Sequence, residues 1–398
     1  MALIGGRAFW EPFLVQVDFT YQRVSGGSEL QALGPQWREL HANQPQQLLP
    51  LAHVWHQAWW QNFGDELDLS LGCVFAKDKI VAIAPLYTSH ERKYGFSLHT
   101  TQLSGNGYSP FNDLLLDPAL SSDQVDQVLR LMLEKNPGDV LRLPKVNADG
   151  VIANCVQEQS ELPANVGIQP NLRTPIIRLH EDWDGFLQSR SRSSRKSIRR
   201  KLNRLRDSNS LDVREVSLEN SKNPVLDEIL GVSERSWKAE VDTDLRSDHE
   251  GRNFLWQLID ELGPQGGATA WLLYEADRLI AYELHLSFHG VIYPIRADYD
   301  QEFSKQGPGS ILMARVLQLL FERGEYHTYD CCGNDYDYLL SWTDEILTYI
   351  DLEFFSLGTR ASLAYAMKYK VAPLARGASK LLKNTEGADT DGQRLSGI

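Results

Sequence analysis

At 398 residues the chain exceeds what one ordinary hydrophobic core organises, so two domains are expected. An apolar content of 42% and ten Trp exclude a disordered polymer. A formal charge of −13 and a pI near 5.3 exclude a surface that binds nucleic acid all over, and no DNA partner is expected.

The N-terminus, Met1-Ala-Leu-Ile-Gly-Gly-Arg, has no basic and apolar leader pattern. No run of eighteen apolar residues suggests a membrane span. The four cysteines (Cys73, Cys155, Cys331, Cys332) show no metal spacing and read as the reduced thiols of a cytoplasmic protein. With the histidines scattered as well, no metal is expected.

In chain order, helical periodicity covers 37–63, followed by strands at 69–76 and 79–87 joined by a tight turn at Lys77-Asp78. A third strand (97–103), a loop, a helix (122–134) and a strand (139–143) follow. The Pro- and Asn-bearing stretch 162–172 reads as a link. Beyond it the same order returns. Helical stretches at 183–206 and 224–262 precede strands at 268–274 and 279–287. A third strand (291–297), a loop, a helix (310–323) and a strand (326–331) follow. Asp78-Lys-Ile-Val-Ala82 aligns with Asp277-Arg-Leu-Ile-Ala281, so the chain reads as a duplication of one α+β unit with a period near 200 residues. The expected divisions are 1–165, 166–358, a helix at 359–383 and a disordered tail at 384–398. A final strand is expected at 347–355.

One segment departs from the acidic background. Between Gln188 and Arg206 there is no Asp or Glu, while Arg and Lys recur around an apolar stripe of Ile198, Leu202 and Leu205 at i, i+4 and i+7. Such a helix can seat itself on a core and present cations, either as a solvated face or toward an anionic ligand.

Before the helix at 310 stands Gln306-Gly-Pro-Gly309-Ser310, where glycines let backbone amides approach a phosphate; an ordinary helix entry is the other reading. After the strand ending near 331 comes Asp330-Cys-Cys-Gly-Asn-Asp-Tyr-Asp-Tyr338, a source of acid and base groups or a capped loop. Glu283 and His285 alternate on a strand that otherwise reads as buried, with Arg296 expected in the same region. Buried ionisable groups need partners, as a structural pair or as part of a site.

With these residues in hand, the hairpin, third strand, Gln306-Gly-Pro-Gly309 loop and helix resemble the Gcn5-related N-acetyltransferase (GNAT) pattern. The tandem arrangement is similar to CelD-like, FemAB-related acyltransferases of cellulose biosynthesis. Arg195-Lys-Ser-Ile-Arg-Arg200, Gly324, Trp37, the Trp55/Trp59 pair, Pro85-Leu86 and Phe111-Asn-Asp113 carry that likeness over roughly 36–370. Two departures stand out. The loop is shorter than the family's Gln/Arg-x-x-Gly-x-Gly/Ala, and Leu339 occupies the place of a family Lys.

The resemblance implies two tandem GNAT-like domains, each a mixed, mostly antiparallel twisted sheet flanked by helices, the first lacking the cofactor loop. It implies acyl transfer from acyl-coenzyme A, acetyl-coenzyme A foremost, to a small-molecule or glycan acceptor in polysaccharide or envelope biosynthesis. An aminoacyl-tRNA donor, or an inactive scaffold, are the alternatives it carries. The site it implies has Asp330 or Glu283 as base and Tyr338 as acid. Gln306, Gly307, Gly309 and Ser310 would sit at the cofactor, and Arg195, Arg199, Arg200, Trp237, Arg296 and Asp113 at the acceptor.

Overall fold

The computed structural model describes residues 18–93, 95–158, 162–180 and 182–374. The leader reading at the N-terminus, the helix beyond 374 and the tail at 384–398 lie outside the described residues.

The repeat in the sequence is a repeat in space. Leu71–Ala76 pairs antiparallel with Lys79–Ala84, and Ala268–Glu275 pairs likewise with Arg278–Phe288. Both turns place their first residue at positive φ, Lys77 at 57° and Ala276 at 54°. Both ladders slip register at the equivalent place, between Val74 and Phe75 and between Leu273 and Tyr274. A bulge in the same position of both hairpins gives both sheets the same added twist.

Each unit then places a third strand parallel to a strand that follows a helix: Phe96–Leu103 beside Val140–Asn147 after helix Ser122–Lys135, and Val291–Tyr299 beside Thr328–Asp330 after helix Pro308–Arg323. A helical crossover is what a parallel pair requires. Every other strand pairing is antiparallel among the described residues, so both units are mixed, mostly antiparallel sheets flanked by helices.

The units join by exchanging strands. The stretch expected as a link is mostly a strand, Asn165–Arg178, which leaves the first unit and pairs with Thr328–Asp330 of the second. Ile346–Phe355 leaves the second unit and pairs with Val140–Asn147 of the first. The two exchanged strands also pair with each other, from Ile346–Pro175 to Phe355–Asn165. One 11-stranded sheet therefore runs through both units, and a separate 4-stranded sheet completes the first. Pro170 and Pro175 suggested a link because Pro weakens a central strand. Here both lie where Asn165–Arg178 pairs only with Ile346–Phe355, since Thr328–Asp330 pairs only with 176–178, and a strand edge left open on one side tolerates Pro.

Other boundaries follow local chemistry. The expected helix at 37–63 is Gly34–Ala42, a 3-10 turn at Leu49–Leu51 and His53–Phe63, broken around Pro45 and Pro50. Pro85 divides the strand expected at 79–87 into Lys79–Ala84 and Leu86–Lys93. The basic stretch is a helix of its own, Arg192–Asp207, capped by the Ser191 hydroxyl on the Ser194 amide and separate from Trp183–Ser189. The expected helix at 224–262 is Val225–Glu234 and His249–Leu262 with a 3-10 turn at Trp237–Val241 between them.

Helix His53–Phe63 of the first unit packs on His249–Leu262 of the second. Trp55 meets Phe254 edge-on at 5.0 Å, Phe63 lies 5.5 Å from the same ring, and Asn62 donates to Gln257 Oε1 at 2.8 Å. Aromatic contacts of this kind contribute about 0.5–1.5 kcal/mol each beyond the area they bury. This helix pair and the exchanged strands hold the groove-forming elements in fixed register.

Candidate active site

Val291–Tyr299 and Thr328–Asp330 pair only at Val291–Thr328 and Ile292–Tyr329. Beyond Ile292 the first strand continues to Tyr299 still paired with Arg278–Phe288, while the second ends at Asp330. A register shift between Leu284 and His285 bends the longer strand where the two part. The longer strand leads on to the loop before helix Pro308–Arg323.

That loop is a 3-10 turn, Gln301–Gln306, capped by Asp300 and closed by Gly307 at φ +67°. No atom lies within 4 Å of a Cβ built on Gly307, so conformation rather than space selects glycine there. No side chain caps the first helical turn, so its amides are available to an acceptor oxygen. Gln306 is held from the basic helix: Arg204 donates to its carbonyl at 2.7 Å and to Oε1 at 2.9 Å. The sequence placed Arg204 in the cationic run without revealing this positioning contact.

The sheet divides the acid–base candidates. On one face Glu283, 5% exposed, accepts from His285 Nε2 at 2.9 Å and from the Tyr329 hydroxyl at 3.3 Å. Tyr338, 53% exposed as a whole residue, belongs with this group: partial desolvation of its phenol, then the nearby Cys331 and Glu283, push it up to about 12. Its ring stacks on Tyr336 at 6.0 Å.

Asp330 faces the other way, toward Tyr293, Tyr349 and Cys332. Burial lifts its carboxyl to about 6, against the opposing pull of the Cys332 amide, which donates to Oδ1 at 2.9 Å, and of Arg178. Tyr349 also lies under the influence of Asp113 from the first unit, whose carboxyl burial lifts to about 7. Phe111 stacks on Tyr349 at 5.6 Å with the rings 7° from parallel, which fixes the Asp113 loop against the exchanged strand. Lys145 borders this side as well, its ammonium bonded to the carbonyls of Asn106 and Ser109 at 3.0 and 2.7 Å. Asp113 and Asp330, 217 positions apart in sequence, are thus brought to one junction. Tyr349 and Lys145 carry no sequence signal of their own.

Arg296 does not share the region of Glu283. It donates to Asp298 Oδ2 at 3.0 Å and to the Thr243 carbonyl at 2.7 Å, in a buried network with Tyr282 and Lys238. The bend between Pro294 and Arg296 turns it to the opposite face. Trp237 stands exposed at the start of its 3-10 turn, beside Lys238.

On the basic helix Ile198 is buried and Leu202 and Leu205 pack against the second core, as the spacing requires. Arg195 is spent on the carbonyls of Gln188 and Arg190, at 2.9 and 2.7 Å, tying two helices together. Arg192, Lys196, Arg199 and Arg200 make no hydrogen bond or ion pair among the described residues and line an open groove of about 600 Å³. His285 and His289, four positions apart, sit on a strand and its turn. No cluster of three or more potential metal ligands occurs among the described residues.

Residues 192–338 match the acetyltransferase (GNAT) domain family. The matched stretch holds the parting strands, the Gln306 loop and Tyr338, and begins at the basic helix. Comparison with curated proteins gives no match. Among solved structures, the chain is similar to FemX, with a TM-score of 0.53 and 13% identity over 87% of this chain and 99% of that one. It is also similar to the C-terminal domain of a protein assigned as a lysylphosphatidylglycerol synthetase from Agrobacterium fabrum, with a TM-score of 0.51 and 11% identity over 85% and 95%. At such identities the likeness is one of fold.

Proposed function

We propose that the chain is an acyltransferase that takes an acyl group from acyl-coenzyme A and passes it to a small-molecule or glycan acceptor at the junction of the two units. The separation of Val291–Tyr299 from Thr328–Asp330 beside an uncapped helix start carries this reading, because a pantetheine arm needs a slot between strands and its pyrophosphate needs free amides. Gln306 held by Arg204, Gly307, Gly309 and Ser310 form the donor end of the slot. The short loop puts its donors on the helix start itself.

In this reading the acceptor's nucleophilic atom attacks the thioester carbonyl carbon, its proton passes to Asp330, and the departing thiolate takes a proton from Tyr338. A carboxyl near 6 is ionised at neutral pH and remains basic enough to accept, and a phenol near 12 holds its proton until the sulfur develops charge. Asp330 ends its strand and Tyr338 stands on the short helix Asp337–Leu340 that follows, so the two would approach the thioester from different elements. Asp113 enters as an acceptor ligand from the first unit. Glu283, bonded to His285 and Tyr329, positions the wall behind Tyr338.

The CelD-like assignment and a polysaccharide pathway belong to this proposal through the resemblance. An aminoacyl-tRNA donor is the second reading, favoured by Arg192, Lys196, Arg199 and Arg200, which line the open groove on the basic helix. Binding of acetyl-coenzyme A followed by calorimetry and thermal shift tests the first: at a hundredfold excess over Kd the native state gains about 2.7 kcal/mol. The absence of any shift with coenzyme A thioesters, together with steeply salt-dependent tRNA binding, overturns it in favour of the second.

A further inference from the structure

The C-terminal helix runs Thr359–Ala366, continues through a π turn at Met367–Val371 and remains helical to 374. One side packs: Ala361 and Ala364 are fully buried, and Tyr365 and Tyr369 meet the Phe355 ring at 5.6 and 6.1 Å. The other side is open among the described residues. Leu363, Met367, Val371 and Leu374 are 48%, 40%, 47% and 75% exposed. Steps of four, four and three residues place them on one narrow stripe.

The charge along this stretch of sequence has one sign. From 354 to 385 the chain holds Arg360, Lys368, Lys370, Arg376, Lys380 and Lys383 and no Asp or Glu, against a total charge of −13. Arg360 is paired with Asp139 and Lys368 with Glu353, whereas Lys370 is exposed beside the stripe, its ammonium 5.8 Å from the Tyr365 ring centre.

We infer that this helix face docks on a membrane surface bearing anionic headgroups. Apolar side chains in a row beside cations, with acids excluded, match an interface where the stripe enters the acyl boundary and lysines reach back to the headgroups. A second copy of the chain is a poorer occupant, because isologous pairing sets the same cations against each other. No helix among the described residues is long and apolar enough to span a membrane. The inference is independent of the acyl-transfer reading.

Co-sedimentation of the full chain with vesicles tests it. The wild type binds vesicles of equal phosphatidylglycerol and phosphatidylcholine, and binding falls with added salt. Phosphatidylcholine alone retains little. Leu363→Asp with Met367→Asp lowers partitioning more than tenfold, and Lys370→Gln lowers it about fivefold. All three side chains are exposed, so thermal unfolding stays as in the wild type; if the double variant unfolds, Val371→Ser and Lys370→Gln supply the same readout. Wild type that ignores phosphatidylglycerol vesicles overturns the inference, as does binding unchanged in the variants. A lipid-independent dimer dissolved by the same apolar substitutions assigns the face to a second copy instead.

Discussion

Replacing Asp330 with Asn separates what this carboxyl costs the fold from what it does for transfer. Burial lifts its pKa to about 6 from an ordinary 3.8, so the folded chain binds this proton more tightly than the unfolded chain. The sign follows from linkage: a raised acid contributes stability that is complete below 3.8 and is lost as pH rises through about 6. The span corresponds to ~3 kcal/mol at 1.36 kcal/mol per tenfold in proton affinity. Asn keeps an acceptor for the Cys332 amide at Oδ1 and removes the charge. Any penalty for its unpaired NH₂ is independent of pH, so the informative quantity is the change in the variant-minus-wild-type stability between pH 4 and pH 8. Urea unfolding at both pH values reads it, and the difference should move by up to ~3 kcal/mol in favour of the variant at pH 8. The same substitution should remove most transfer activity. In the wild type, kcat/KM should rise with pH through about 6, because the base must be ionised to act. A difference that does not change with pH, or one that moves against the variant, refutes burial as the dominant influence and assigns Asp330 to a stabilising pair with Arg178.

Three further outcomes check the site. Tyr338→Phe should lower kcat about a hundredfold with KM for the acceptor little changed, since the phenol is asked only for a proton. Arg204→Ala frees the Gln306 loop and should raise KM for the acyl thioester about tenfold while leaving kcat near the wild-type value; a kcat effect alone argues that Arg204 does not act by positioning the donor. Gly307→Ala meets no neighbouring atom, so its destabilisation in thermal unfolding should be only the ~1 kcal/mol of a left-handed residue with a Cβ.

Much of the architecture was legible in the chain. Asp78-Lys-Ile-Val-Ala82 and Asp277-Arg-Leu-Ile-Ala281 announced two equivalent hairpins, because turn chemistry and alternation act over a few residues and survive in any context. The stripe of Ile198, Leu202 and Leu205 likewise specified a helix seated on a core with its cations outward. The exchange of Asn165–Arg178 with Ile346–Phe355 was not legible. Strand pairing between residues 171 to 190 apart is chosen by the hydrogen-bonding edges that two finished sheets leave open, and a stretch with Pro170 and Pro175 carries no local mark of it.

The candidate site divides the same way. Residue types at Gln306–Ser310, Asp330 and Tyr338 marked where chemistry is to be sought, because glycines before a helix and acids after a strand have local meaning. Which groups meet was a tertiary matter. Alternation along Thr328–Asp330 sets Tyr329 toward Glu283 and Asp330 toward Tyr349, and the bend near Ile295 carries Arg296 to Asp298. Sequence alone determined the paired hairpins, the basic helix and the chemical inventory of the site, since these depend on neighbours a few positions away. Only the folded chain decided that Asp113 and Asp330 share a junction and that Arg204 holds the loop, because burial and proximity arise when distant segments pack.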